Sequence, residues 1–165
     1  MSRYVEGDCE FTSIRHLVKA LTEMRSCARR GQKFKESDIQ VHLNPNEEQL
    51  KSALKTEFPE LNVDTNGPVN LHGYMGDTRK QKANVVVPRQ YVGGAANDLG
   101  WALGPDKTTE FISDYDKGYY NEDWQTDLKD QYNQADVDLT CQQNGWTYTK
   151  SKNEDGETQF IIEGL

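Results

Sequence analysis

Apolar residues along this chain recur with two different periods, and the switches between them mark out the elements. Arg3 to Phe11 is extended in character and predicts a first strand. Ser13 then precedes Ile14, Leu17, Val18, Leu21 and Met24, a single stripe at helical spacing behind an N-cap residue. The predicted helix runs to Arg30, with Arg29 and Arg30 at the negative end of its dipole and Gly31 as its stop. Ile39-Gln40-Val41-His42-Leu43 alternates as a short strand. Asn44-Pro45-Asn46-Glu47 then supplies an N-cap, a proline at N1 and a glutamate at N3. Leu50, Ala53, Leu54 and Phe58 form the buried stripe of the helix that follows, and Pro59 ends it.

After the turn Thr65-Asn66-Gly67-Pro68, four more strands are predicted: Val69 to Tyr74, Asn84 to Pro88, Asn97 to Leu103 and Thr108 to Asp114. Their joints, Met75 to Lys82, Gly93-Gly94-Ala95-Ala96 and Gly104-Pro105-Asp106-Lys107, read as turns, and such short spacings favour an antiparallel meander. Trp124, Leu128, Tyr132, Ala135 and Leu139 step by helical intervals, so a long helix is predicted over Glu122 to Asn144, with Gly145 at C′. Trp146 to Thr149 and Thr158 to Ile162 close the chain as a hairpin around Glu154-Asp155-Gly156. The class implied is α+β: an antiparallel β-sheet with two main helices, Ser13–Arg30 and Glu122–Asn144, packed on one face, plus a small strand-helix unit from Phe34 to Gly67.

Composition narrows the function classes. At 165 residues, 35% hydrophobic and 28% charged, the chain is polar but long enough for one domain spanning 1–165 with a real core. No apolar run approaches the roughly 20 residues that span a bilayer, and Met1 to Glu6 carries no export signal. Cys9, Cys27 and Cys141 are odd in number and widely spaced, which reads as buried free thiols in a reduced, cytoplasmic setting. A net charge of −8 argues against a nucleic-acid binder, which needs clustered cations to release counterions. Acids concentrate between Asp106 and Asp138, while Arg25, Arg29, Arg30, Lys33 and Lys35 lie close together. That asymmetry suits a cationic partner or head-to-tail association into a homo-oligomer, or simply a well-solvated surface.

Catalytic signatures are missing: no phosphate loop, no dinucleotide fingerprint, no nucleophile elbow and no zinc-protease motif. His16, His42 and His72 fall on separate elements without ligand spacing, so no metal or other cofactor is expected. His72 differs from the other two because it precedes the turn Gly73-Tyr74-Met75-Gly76. That turn resembles a nucleotide clamp, but strands rather than helices flank it. Asp114 and Asp116, two residues apart, are the candidates for a cation or acid–base site, weighed against a solvated loop. As a calcium loop the segment fails, because Gly118 comes one position early and Gln125 stands where a glutamate belongs. Trp101 and Trp124 are expected in the core. Tyr119 and Tyr120, in a turn, are expected at the surface, facing a partner or ligand, with the loop's own packing as the plain alternative.

The order of these elements resembles a known family, the hypothetical chloroplast reading frame 35 proteins (domain of unknown function 1257). Ser2-Arg3-Tyr4-Val5 is similar to its start, Gly73-Tyr74-x-Gly76 with Thr78 to its Gly-Tyr-x-Gly turn, and Ala83 to Val87 to its Ala-Asp-hydrophobic strand. Asn97-Asp98-Leu99-Gly100-Trp101, Glu110 to Asp114, Asp127 to Tyr132, Gly145-Trp146 and Glu154 to Glu157 continue the match. Against that pattern the 34–67 unit is an insertion, and the Gly-Leu end departs from an Arg-Trp-like one. The resemblance implies the α+β fold and an AAA-type ATPase as a protein partner, and it implies no activity. The leading expectation is a non-enzymatic cytosolic accessory protein acting through a protein partner or a bound small molecule, with His72, Tyr74, Asp98, Asp114, Asp116, Tyr119 and Tyr120 as candidate contacts. One alternative is a phage-type inhibitor whose acidic helix mimics nucleic acid or sequesters a signal. Another is an enzyme with an unrecognised site around His72, Asp98, Asp114 and Asp116.

Overall fold

Three short strands with apolar side chains on both sides decide the architecture. In the computed structural model, which describes residues 2–164, β6 (Val85–Val87), β7 (Leu99–Leu103) and β8 (Thr108–Ser113) form an antiparallel meander, while the first of the four strands expected in it, Val69 to Tyr74, lies in a separate hairpin. β1 (Tyr4–Cys9) pairs with β8, and β2 (Gln40–His42) and β3 (Asn62–Asp64) extend the sheet beyond β6. The six-stranded order is β1–β8–β7–β6–β2–β3. β2 and β3 are parallel, joined by the crossover helix α2 (Glu48–Glu57). The sheet is otherwise antiparallel, as expected, and its one parallel pair comes from the small 34–67 unit. The 34–67 unit is a strand–helix–strand crossover bonded directly to β6 through β2.

Alternation along the strands sorts side chains onto two faces. Val85, Val87, Leu99, Trp101 and Ile112 face the helices. There they share one cluster with Leu17, Val18 and Leu21 of α1 (Ile14–Leu21) and with Trp124, Leu128 and Tyr132 of the long C-terminal helix. The two main helices therefore lie on one face, as the pattern implies. Val86 and Phe111 point the other way, onto Leu71 and Ala83 of a separate hairpin, β4 (Val69–His72) and β5 (Thr78–Ala83). Gly100 lets that hairpin approach: a Cβ there would sit 2.8 Å from both Leu71 methyls and 3.0 Å from the Ala83 Cβ.

The long helix follows α3 (Arg89–Val92) as α4 (Glu122–Asn144), with the predicted bounds. Asn121 caps it by accepting the Trp124 N–H at 3.0 Å, and Gly145 leaves it in the left-handed region at φ 67°. Trp124, Leu128, Tyr132, Ala135 and Leu139 are buried, whereas Asp123, Asp127, Asp130 and Asp136 are exposed. β9 (Thr147–Lys152) and β10 (Thr158–Glu163) make the closing hairpin, anchored where the Tyr148 hydroxyl donates to Asp138. Ile161 and Ile162 on β10 remain exposed. No helix among the described residues is long and apolar enough to cross a membrane.

Other expectations fail for local reasons. α1 stops at Leu21 instead of Arg30, because distant groups claim the backbone that a longer helix would use. Trp124 Nε1 donates to the Arg25 carbonyl at 3.2 Å, Tyr120 Oη accepts the Cys27 N–H at 3.1 Å, and Phe34 N–H bonds Met24 across a reverse turn. The basic cluster is largely spoken for: Arg29 pairs with buried Asp38, Lys33 with Glu23, and Arg25 donates to the Gly31 carbonyl. α2 begins at Glu48, not after Asn44, because Glu47 folds back to accept the Asn44 N–H in a turn of its own. Ala53 is exposed, as is Cys27, while Cys9 is half-buried. β5, α3 and β3 come as additions to the pattern. In β5 the half-buried positions are Arg79 and Gln81, which give no apolar alternation.

Leu128→Ala is expected to cost about 2–5 kcal/mol by opening the core, and Asp127→Asn under about 0.5 kcal/mol. Chemical denaturation of the two variants checks the ranking, and its reversal would contradict the assigned faces of α4.

Candidate functional site

Two places concentrate polar groups, and only the first includes residues that the sequence singled out. At the hairpin-side end of the sheet, Tyr74 and Asp116 bond Asn97, His72 bonds Asp98 next to it, and Asp114 bonds Arg3 next to Ser2. Asp98 is buried, and its two oxygens accept the His72 N–H at 2.7 Å and the Arg89 N–H at 2.8 Å. The exposed His72 ring lies 3.4 Å from the same carboxylate. Asn97 Oδ1 accepts the Tyr74 N–H and the Ser2 hydroxyl, both at 3.0 Å. Arg79 reaches Ser2 O at 2.7 Å and Ser2 Oγ at 2.8 Å. Its Nε is 2.9 Å from Asp77, off the N–H axis, so this ion pair is electrostatic and the buried N–H keeps no aligned acceptor. These bonds stitch β1, the β4–β5 turn and the β6–β7 joint together.

Asp114 and Asp116 do not form a pair facing one ligand. Asp114 accepts the Arg3 backbone N–H at 3.0 Å, and that bond, followed by the Ser113 hydroxyl, holds it below the usual carboxylate range. Asp116 turns to the Asn97 N–H at 3.0 Å, and burial pushes it up. Among the described residues no three His, Cys, Asp or Glu side chains gather to hold a metal.

The tyrosines separate as well. Tyr120 is a core residue, 2% exposed; it donates to the Val92 carbonyl and meets Trp124 edge-on at 4.9 Å. This corrects its expected place at the surface. The buried hydroxyl is satisfied by α3 and the 25–27 loop, neither of which had announced itself in the sequence. Tyr119 and Tyr115 are exposed, and Tyr115 lies 5.8 Å from Tyr74, beside the fully projecting Met75.

The second place is a cavity of about 710 Å³ between the β1–β8 edge and the α1–α4 pair. Register builds its floor. Gly7 lies opposite Glu110 and Glu110 opposite Trp101, so all three share the helix-facing side. Gly7 leaves that floor open: nothing stands within 4 Å of where its Cβ would be. Glu110 is 4% exposed and its Oε2 accepts the Trp101 indole N–H at 2.9 Å. Burial pushes its carboxyl above the usual range, against the pull of that N–H and of Lys117.

Phe11 and Tyr132, with ring centroids 4.7 Å apart, make an apolar wall. The Tyr132 hydroxyl accepts the Thr12 and Ser13 N–H groups at 3.1 and 3.0 Å, fixing the entry to α1. Cys9 beside the floor has its thiol pushed up to about 12, first by burial and then by Glu110 and Asp8. His16 is lowered by burial despite Asp136 at 3.6 Å, so it is neutral near pH 7. The sequence carried one signal for this site: an acid at the inward parity of a strand, between Thr108 and Ile112.

A buried acid with a raised folded pKa stabilises least where it must ionise. Its full contribution holds below the unfolded carboxyl value near 4.3 and is lost as pH rises through the folded value. Glu110→Gln removes that loss. The stability of the variant relative to wild type is therefore expected to rise with pH from about 4 upward, as read from denaturation midpoints. A flat difference curve would contradict the buried carboxyl.

No curated protein and no solved structure matches this chain. A family model does, that of the proteins of unknown function DUF1257, and its match covers residues 58–161. That span runs from the end of α2 through β10 and takes in Asp98, Glu110, Trp101 and all of α4. The chain therefore belongs to the DUF1257 family.

Proposed function

We propose that this protein is a non-enzymatic binding protein whose ligand is a small molecule held in the cavity between the β1–β8 edge and α1–α4. The observation that carries the reading is Glu110, a buried acid set at the floor of a cavity opposite a glycine. An ionisable group in such a place is costly unless something repays its burial, and concave sites with few convergent polar groups are where ligands bind. The remaining lining supports recognition over catalysis. With its thiol pushed up to about 12, Cys9 is no thiolate nucleophile at neutral pH. The Tyr132 hydroxyl is committed to two backbone N–H groups.

Native mass spectrometry of the protein purified without denaturation tests this. A co-purifying small molecule is expected on the wild type and is expected to be absent from Gly7→Leu, which fills the floor. A folded wild type with no bound mass, or equal occupancy in the variant, would count against the cavity.

A second reading, a protein-partner surface, is favoured by one observation: Met75, Tyr115 and Tyr119 expose thioether and aromatic area, and Tyr115 meets the half-buried Tyr74 in a tilted ring pair. Tyr115→Ala/Tyr119→Ala is expected to stay folded, since both side chains are at the surface, and to weaken partner capture about tenfold or more if they anchor it. Affinity purification with quantitative mass spectrometry reads the loss, and unchanged capture would remove this surface from consideration.

A further inference from the structure

We infer that the cavity takes a small organic cation, an ammonium or amidinium carried on an apolar body, with Glu110 as its counter-ion. The inference rests on the cavity reading above and adds the class of ligand to it. Only one Glu110 oxygen, Oε2, is engaged, by the Trp101 N–H; the other accepts no hydrogen bond among the described residues. Glu110 is nine-tenths buried, and its second oxygen, which no described protein group bonds, opens onto the cavity and is free to accept from a ligand. A ligand N–H⁺ supplies that donor and the balancing charge in one group, forming the stronger, charge-assisted kind of bond. In the complex the ligand keeps its proton and Glu110 is ionised, so the site holds one negative and one positive charge.

The walls select in the same direction. Glu10, Glu122 and Asp136 line the cavity, and Lys129 is the lining cation that opposes them. His16 adds no charge near pH 7, because burial lowers it. An anionic ligand would meet these carboxylates as well as Glu110 at short range and low dielectric, where like charges cost most. Phe11 and Tyr132, tilted by 31° with centroids 4.7 Å apart, line the cavity with aromatic surface for the ligand's apolar body and for its charge. The structure also explains why Gly7 stands opposite Glu110. A side chain at this register position would start on the same face of the sheet as Glu110, where nothing stands within 4 Å of a Cβ, and a long one such as leucine would reach toward the carboxyl.

The test uses three probes of one shape: benzylamine, benzyl alcohol and benzoate. Each is titrated at millimolar concentration into the ¹⁵N-labelled full chain as wild type, Glu110→Gln and Gly7→Leu. The expected result is saturable shifts from benzylamine at the Thr12 and Ser13 amides and the Trp101 indole N–H. These are weakened about tenfold or more in Glu110→Gln, as losing a charge-assisted bond implies, and abolished in Gly7→Leu. Benzyl alcohol or benzoate saturating the same signals at least as tightly would overturn the cation and leave the cavity standing. Equal benzylamine affinity in wild type and Glu110→Gln would overturn the counter-ion. Wild-type spectra unmoved by all three probes would overturn both the ligand class and the cavity reading. Gln keeps an acceptor for the Trp101 N–H, so this variant is expected to fold. Should it not, the ranking of the three probes on wild type decides the ligand class alone.

Discussion

Burial on both faces of β6, β7 and β8 is the constraint from which the rest of the molecule follows. A sheet with one covered face can leave alternate side chains in water; here neither face can. Val85, Val86 and Val87 are all buried, an uninterrupted apolar strand that needs a cover on each side. On one side the cover is thick, with Trp101 filling the space beneath α1 and α4. On the other it is thin, and Gly100, the neighbouring residue, has no side chain to hold the β4–β5 hairpin away. One dipeptide thus sets two distances: how far the helices stand from the sheet and how near the hairpin comes. The polar network of Ser2, Asn97 and Asp98 then locks the hairpin turn at the sheet's end, where apolar contact runs out.

Much of this was legible in the sequence because local and tertiary preferences agree. α4 shows its bounds through Asn121, Gly145 and a stripe of period 3.6, and its acids fall on the water side as that stripe demands. The meander was legible for the same reason. α1 shows what happens when the two levels diverge. Its stripe continues through Met24, yet Trp124 and Tyr120, nearly a hundred residues on, and Phe34 across the reverse turn hold the backbone from Met24 to Cys27 in a turn. No window around Met24 contains those residues. β5 fails in the opposite way, since Arg79 and Gln81 precede Ala83 at its inward positions, and Arg79 is held there by its bonds to Ser2 rather than by apolar burial.

The functional residues divide along the same line. The prominence of His72, Asp98, Asp114 and Asp116 in the sequence comes from their chemistry, and the fold does bring them together. It spends most of their acceptors on backbone N–H groups, which is what binding distant segments requires. Glu110 is one acid in an acidic region, its inward parity the one hint the sequence holds, and register is what reveals its place. Pairing places it between Gly7 and Trp101 across three strands, and inward parity does the rest. Charge along the chain is one-dimensional, whereas the cost of burying a charge depends on neighbours a hundred residues away.

The closing hairpin β9–β10 has a thermodynamic character of its own. Among the described residues its two strands pair with each other alone, and it is tied to the body at the end of α4 and through the bonds of Tyr148 with Asp138 and Gln134. Two strands without a third sit near the threshold of independent stability. The molecule therefore carries a subglobal unit that can open by itself while the sheet beneath α1 and α4 stays closed. In amide exchange such a unit separates from the rest: the hairpin's N–H groups trade with solvent through a low-energy opening, and those of β7 only through global unfolding.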